Sequence, residues 1–443
     1  MFPTTDRTRR HLGVALFFTL CIFPTLAVLG GSLWLARPAH VEDCQRELSR
    51  RLGLAVKLEQ VTYPLPGVTL LAGFTVADPE TGEQLLSTRL LEVHKNGNTW
   101  HVKAEQPEVP AGAVVRLRDW LDRLLRSPEA DHPRVVLVAG DVTFHDGDHS
   151  QTFTDVSGWY EPLPAGARAG ARFRLAGEAD AELASVELTR NRQTSPPATR
   201  IELKAPTPLP CEFVGAGADW KQWVGGGSTF RGLLIWTNSG QGWEADIRGL
   251  LSGVDLYRLV SGRFPHQLSG LSDVALTRVR IRDGRLEEAE GQLAAGPGVV
   301  SGSLLIALAE SLGMPLAEDS PALHPAGREP AAGALAWPSP DQIFQYEQLS
   351  LKFKAAARQL DLRGGIPQSP GVVFLAPRGP LLREPANVQP VTGLVRALVP
   401  SNGVEVPLTR ETDLLLGLLP VGKTTVASPM PPAGTNRLRV TPE

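Results

Sequence analysis

Between Leu12 and Ala36 the chain runs for 25 residues without a charged side chain, and this stretch limits what the rest can be. As a helix it extends about 37 Å, enough to cross a hydrocarbon core of roughly 30 Å with some tilt. Arg7, Arg9 and Arg10 precede it against Asp6 alone, whereas Arg37 is soon followed by Glu42 and Asp43. The positive-inside rule then leaves residues 1–11 as a cytoplasmic tail and puts everything past Ala36 on the far side. A cleaved secretory signal is the rival reading, with Gly30, Gly31 and Ser32 imitating a cleavage region. Its apolar core is normally about 7–15 residues, so the length favours an uncleaved transmembrane helix at 12–36, with Pro24 tolerated in mid-span and Trp34 at the interface. Neither Cys21 nor Cys44 follows the run of small residues that a lipoprotein reading needs. No other stretch is long and apolar enough to span, which predicts one crossing and one large exported part.

The net charge of −3 gives no reason to expect nucleic acid as a partner. Three cysteines exclude a disulfide framework; Cys21 lies in the span, and Cys44 and Cys211 read as two thiols that never meet rather than as a pair. Gly and Pro together make up nearly a fifth of the chain, against about an eighth in ordinary proteins. That favours many short strands with frequent turns over a helical bundle.

Along the chain, Glu42 to Gly53 reads as a short helix leaving the membrane, closed by Gly53 in the left-handed conformation. From there the hydrophobic period is two. Val68, Leu70, Ala72, Phe74 and Val76 share one face of a strand, Ala77 to Gly82 is a turn, and Gln84 onward returns as the second arm of a hairpin. An apolar stripe of Val114, Leu117, Leu121, Leu124 and Leu125 predicts a helix over Ala113 to Arg126. Val142 and Phe144 then open another hairpin with its turn at 146–148, Phe173 and Leu175 mark a further strand, and Val186 and Leu188 another. The pattern of Asp219 to Trp243 does not resolve. Leu268 to Asp283 and Leu286 to Leu293 read as strands joined by Asp283-Gly284, and Val299 to Leu312 as a helix closed by Gly313. Residues 314–340 read as a linker by their Pro, Ala and Gly content. In the terminal β-rich region, 341–426, Leu349, Leu351, Phe353 and Ala355 alternate with Ser350, Lys352 and Lys354; residues 427–443 read as a loose tail. The fold class expected is mainly β, an antiparallel sheet with a few short helices after one membrane helix.

Several of these segments resemble the AsmA-like family of envelope proteins. The likeness rests on the tail and single amino-terminal membrane helix; Leu52 to Tyr63 followed by Pro66 to Leu70; the hairpin Gly73 to Gly82; and the strand-turn-strand from Gly140 to Asp146 through Phe153 to Val156. Val279 to Leu286 and on through Gly302 to Leu304 is similar to the family's carboxy-terminal region. Together these pieces cover about half of the chain, placing 37–260 and 261–313 as its two family-like parts. The resemblance implies an elongated, strongly twisted β-groove with an apolar interior, projecting from the inner membrane into the periplasm. It also implies a role in moving phospholipid between membranes or in maintaining the outer one, with no catalytic residues.

Two motifs carry the letters of other chemistry without the context it needs. Gly417 to Thr424 matches the phosphate-binding loop GxxxxGK[ST], but that loop needs a helix starting at Lys423 and Thr424 to present free N–H groups. Pro429, Pro431 and Pro432 follow instead, and too few residues remain for the fold that carries the motif. His145, Asp146, Asp148 and His149 are four potential metal ligands within five residues, yet Asp-Gly-Asp at a hairpin tip is ordinary turn chemistry. No metal and no cofactor is expected, and no constellation supports a hydrolase. The arginine-flanked helix at Ala113 to Arg126 reads as a cap on the sheet it follows, with a membrane-surface helix as the alternative.

Two readings stay open. In the first, acyl chains of phospholipid lie along apolar positions Val68, Leu70, Phe74, Val76, Val142, Phe144, Phe173, Leu175, Val186, Leu188, Leu349, Leu351 and Phe353. In the second, the same faces are sealed by protein and the chain is a structural or assembly protein of the envelope with a closed β core.

Overall fold

The computed structural model describes residues 14–23, 25–26, 31, 37–110, 112–126, 133–146, 149–177, 181–214, 220–318, 320–323 and 337–399. The first part runs α1 (Pro38–Leu52), β1 (Ala55–Lys57), β2 (Gln60–Leu65), β3 (Val68–Ala77), β4 (Gln84–Asn96), β5 (Thr99–Glu105), β6 (Glu108–Pro110) and α2 (Ala113–Arg126). Next come β7 (Arg134–Asp146), β8 (His149–Leu163), β9 (Gly166–Leu175), β10 (Ala184–Asn191) and β11 (Ala198–Pro210). After them stand α3 (Cys211–Val214), α4 (Trp220–Val224), β12 (Thr229–Asn238), β13 (Trp243–Asp255), β14 (Leu271–Arg282) and β15 (Arg285–Ala295). The last part is β16 (Gly298–Ser301), α5 (Gly302–Leu312), β17 (Ile343–Tyr346), β18 (Gln348–Ala356), β19 (Gln359–Gly364), β20 (Val372–Ala376), β21 (Gly379–Arg383), β22 (Gln389–Pro390) and α6 (Val391–Leu398).

The chain is mainly β, and all of its strands but β16 and β17 belong to one sheet of 20. From β7 to β15 each strand pairs antiparallel with the next, and β15 then pairs with β18. Ahead of this meander α2 carries the chain from β5 and β6 to a parallel pairing with β7. A parallel neighbour needs such a crossover, and a helix supplies it. Because the strands alternate in direction, the short turns at 164–165, 192–197, 239–242, 283–284 and 357–358 line one long side of the sheet. The longer connections, with α3, α4, the π-helical turn Tyr257–Ser261 and α5, line the other.

Helix ends follow local chemistry. Pro38 opens α1, where its missing N–H is no loss, and Gly53 closes it at φ +65°. Ser301 caps α5 by accepting the Leu304 N–H, and Gly313 ends it at φ +59°. Val41, Cys44, Leu48 and Leu52 of α1 pack on a core of Leu54, Val56, Leu71, Phe74, Val76 and Leu85, which ties the helix to the first strands. Cys44 and Cys211 are both free thiols.

The largest core joins α5 and α6 to β15, β18, β20 and β21 around Leu305, Leu312, Tyr346, Leu381 and Leu382. Met314, Leu316 and Leu323, from the stretch read as a linker, are buried in it; residues 324–336 lie outside the described residues. Tyr346 donates its hydroxyl to the Ser269 carbonyl at 2.5 Å, and burial pushes its pKa up to about 12. His266 is 4 % exposed and pins this region. Its Nε2–H donates to the Ala397 carbonyl at 2.9 Å, which leaves Nδ1 to accept from the Ser303 hydroxyl at 3.1 Å. Burial holds its pKa below the ordinary imidazole value, offset in part by the bond to Ala397. A folded pKa below the unfolded one means that the unfolded chain binds the extra proton. His266 therefore contributes stability that is fully present above about pH 6.5 and is lost as pH falls toward its folded pKa. In urea unfolding from pH 8 to pH 5, His266→Gln is expected to flatten that part of the fall; a variant curve parallel to the wild-type one contradicts the assignment.

Among the described residues no helix is long and apolar enough to cross a membrane. The segment 12–36 is described only in part. Residues 14–23 are helical there, and Val14, Leu16, Phe17, Phe18, Leu20 and Phe23 lie exposed. The 417–424 motif and the 427–443 tail lie outside the described residues.

Candidate functional site: the apolar face of the sheet

Cross-strand register sorts the side chains of β8 to β18 into rows. One row runs Tyr160, Ala169, Leu188, Ile201, Trp236, Ala245, Ile281 and Leu286, each opposite the next. A second runs Ala171, Val186, Leu203, Leu234, Ile247, Val279, Ala289 and Ala355. Nearer the helix-bearing side a third runs Leu209, Phe230, Leu251, Val274, Leu293 and Leu351. Every member is apolar, and β8 to β18 is nine strands wide, about 38 Å at the usual ~4.8 Å spacing.

Coverage of this face is uneven. On the helix-bearing side Phe213, Val214, Trp223, Val224 and Leu259 close over Leu209, Phe230 and Val254. At the β8–β10 end, Leu121, Leu124 and Leu125 of α2 cover Tyr160, Ala167, Ala169 and Leu188. Between these covers Val186, Leu234, Trp236, Ile247, Val279 and Ile281 remain half-buried. Among the described residues the only strands outside the sheet are β16 and β17.

The predicted lining residues fall into this picture in three groups. Phe74, Val76 and Val142 lie in the first core, with Phe144 packed against both it and the next. Phe173 and Leu175 pack on the second core, Val186 joins it to the third, and Leu188 belongs to the third. Leu349 is buried in the largest core, with Leu351 and Phe353 against it. Val68 is buried and Leu70 half-buried, and both stand outside these clusters. The alternation expected of Val68 to Val76 changes phase at Gly73, at φ +61°, so Leu71 joins Phe74 and Val76 inside. Gly140 at φ +64° and Asp155 at φ +54° stand at register shifts in β7 and β8, where buried positions jump from Ala139 to Val142 and from Phe153 to the partly buried Val156. Where a residue at positive φ forms a bulge, it adds one position to its strand and turns the later side chains over. Leu234, Trp236 and Ile247 carry no local signal, and Ile281 alternates with Arg280 and Arg282 in the sequence; that the four share one face shows only once β11 to β14 are aligned.

The opposite face is charged and largely self-paired. Arg168 meets Glu161 at 2.9 Å and Glu187 at 3.9 Å, Arg278 meets Glu288 at 3.4 Å, Arg280 meets Glu244 at 3.4 Å, and Lys354 meets Glu290 at 3.1 Å. Glu202 lies between Arg200 and Lys204, both at 2.9 Å, and their hydrogen bonds hold its carboxyl below the usual range. Such surface pairs are worth about 0–1 kcal/mol each, so their main effect is to keep this face in water. His145 is exposed, and no cluster of metal-ligating side chains forms among the described residues. Comparison of the chain with protein-family models, with curated proteins and with solved structures finds no match.

Proposed function

We propose that this chain is a non-enzymatic, membrane-anchored envelope protein that holds lipid acyl chains along the apolar face of its sheet. On this reading residues 12–36 are its anchor in the inner membrane, the sheet is an elongated groove on the periplasmic side, and the activity is phospholipid transport or outer-membrane maintenance, as in the AsmA-like family. The observation that carries it is the half-buried middle of the face. Val186, Leu234, Trp236, Ile247, Val279 and Ile281, with the buried Leu203 and Ala245 between them, form a continuous apolar patch bordered by α2 at the β8–β10 end and by helices along one long side. A protein that sealed this face for structure alone would leave no such strip in water. Each methylene laid there gains about 0.8 kcal/mol, so a lipid with two acyl chains needs no polar anchor in the groove to stay bound. The exposed Leu16, Phe17, Leu20 and Phe23 ahead of α1 support the anchor.

The test is direct. Full-length protein, purified in a detergent that is then exchanged for amphipol, is expected to carry phospholipid at one or more molecules per chain in a solvent extract read by mass spectrometry. Protein that carries none, and takes up none from labelled vesicles, supports the structural or assembly role instead.

A further inference from the structure

On the charged face, β9 to β13 enclose an open cleft of about 850 Å³. Leu233 and Leu250 stand on its floor, each paired with one of its arginines. Ala205, Gly232 and Gly249 stand opposite one another on β11, β12 and β13, and a Cβ on Gly232 would fall 2.1 Å from the Arg248 carbonyl oxygen. The reciprocal Cβ on Gly249 would fall 2.2 Å from the Arg231 carbonyl oxygen. Both glycines sit near φ +150°, and with Ala205 they form a row that alternates with the cationic positions, so they leave the apolar side of β12 and β13 without side chains there.

Four cations surround that floor: Arg172 on β9, Lys204 on β11, Arg231 on β12 and Arg248 on β13. Register puts Arg172 opposite Ser185, Ser185 opposite Lys204, Lys204 opposite Leu233 and Leu233 opposite Arg248. Lys204 and Arg248 thus stand two strands apart, roughly 10 Å between backbones. Lys204 already meets Glu202 and Arg248 meets Asp246 at 3.0 Å, each from its own strand. Arg231 has no carboxylate partner among the described residues, and Arg172 has only the ring of Trp159, at 5.5 Å. Glu182, at the β10 end, is the only acidic side chain lining the cleft. Elsewhere on this face arginines meet carboxylates across or along the strands, and the pairing lapses at Arg172 and Arg231. Gathered cations destabilise a sheet unless something opposite in charge enters.

We propose that this cleft binds a phosphoryl-bearing anion. Two unpaired guanidinium forks offer paired N–H donors to phosphate oxygens, and Lys204 adds a point charge across the floor. The site lies on the face opposite the apolar rows and does not depend on lipid being held there.

Two probes separate the sources of the phosphoryl group, each applied to the full-length protein. One is inorganic tripolyphosphate followed by calorimetry. The other is vesicles of phosphatidylcholine with or without phosphatidic acid, where the anchor and the acyl chains contribute equally to both and the difference reads the headgroup. The double variant Arg172→Gln/Arg231→Gln is expected to weaken whichever probe binds by roughly tenfold or more, with an unfolding midpoint that does not fall. Lys354→Gln, on the same face at β18, is expected to change nothing. Tripolyphosphate binding assigns a soluble phosphate, and an effect of phosphatidic acid alone assigns a lipid headgroup. Wild-type protein indifferent to both probes, or an equal loss in Lys354→Gln, overturns the proposal.

Discussion

Phe153→Ala is expected to lower the stability of the fold by about 3–5 kcal/mol, read as a fall in the urea midpoint at little changed slope. Phe153 is 3 % exposed, and its ring meets Phe144 at 5.2 Å, Phe173 at 5.1 Å and Phe213 at 5.1 Å, all edge to face. Each such contact is worth roughly 0.5–1.5 kcal/mol beyond the area it buries. The position also has a topological meaning. Phe144 belongs both to the core beneath α1 and α2 and to the one beneath α3 and α4, so the aromatic cluster is where two parts of the sheet share packing. Four rings held by edge contacts cannot collapse into the space one of them leaves, which puts the loss at the upper end for a buried side chain. Leu351→Ala, half-buried at the other end of the sheet, is the comparison and is expected to cost about 1–2 kcal/mol. Equal losses at the two positions contradict the special standing given to the aromatic junction.

What the sequence discloses about this fold is whatever depends on neighbours in the chain. The helix at Ala113–Arg126 is found at those bounds because its apolar stripe repeats every three to four residues, and the hairpin of β3 and β4 because Asp78 to Gly82 can only turn. Gly53 and Gly313 mark helix ends for the same local reason. Residues 299–301 share the apolar run of the helix that follows them, yet they form β16, because their backbone pairs with Ile343–Tyr346 some forty positions later. The stretch from Asp219 to Trp243 has no single period because it holds a short helix, an irregular turn and all of β12 in succession. Met314 to Leu323 looked like a linker from its composition, but Met314, Leu316 and Leu323 fill the core beneath α5. The rows of the apolar face depend on the register of nine strands, and register is reset at Gly140, at Asp155 and between Leu276 and Arg278. A glycine is visible in a sequence; whether it makes a turn or a bulge is decided by the partner strand. The phosphoryl cleft has no sequence signal at all, since its four cations come from four strands.

The double variant Leu234→Lys/Ile247→Lys is expected to strip at least nine-tenths of the bound phospholipid from the purified protein while leaving it folded. The two residues face each other across β12 and β13 in the half-buried middle of the apolar face. A lysine there can lay its methylenes along the neighbours and lift its ammonium to the open side, so folding loses little. A lipid has no such freedom. If about three methylenes of each acyl chain lose contact with apolar surface, six at ~0.8 kcal/mol amount to about 5 kcal/mol, several orders of magnitude in affinity. Ile235→Lys separates this from a general effect of added charge. Ile235 is the next residue along β12, lies opposite Asp246 on the charged face, and its replacement is expected to leave the lipid content at the wild-type level. Full lipid content in the double variant, with lipid present in the wild type, places the acyl chains somewhere other than these rows. Equal depletion by Ile235→Lys attributes the loss to charge alone. Depletion confined to the Leu234 and Ile247 pair ties lipid retention to one face of one sheet, the result that distinguishes a groove from a surface that is merely apolar.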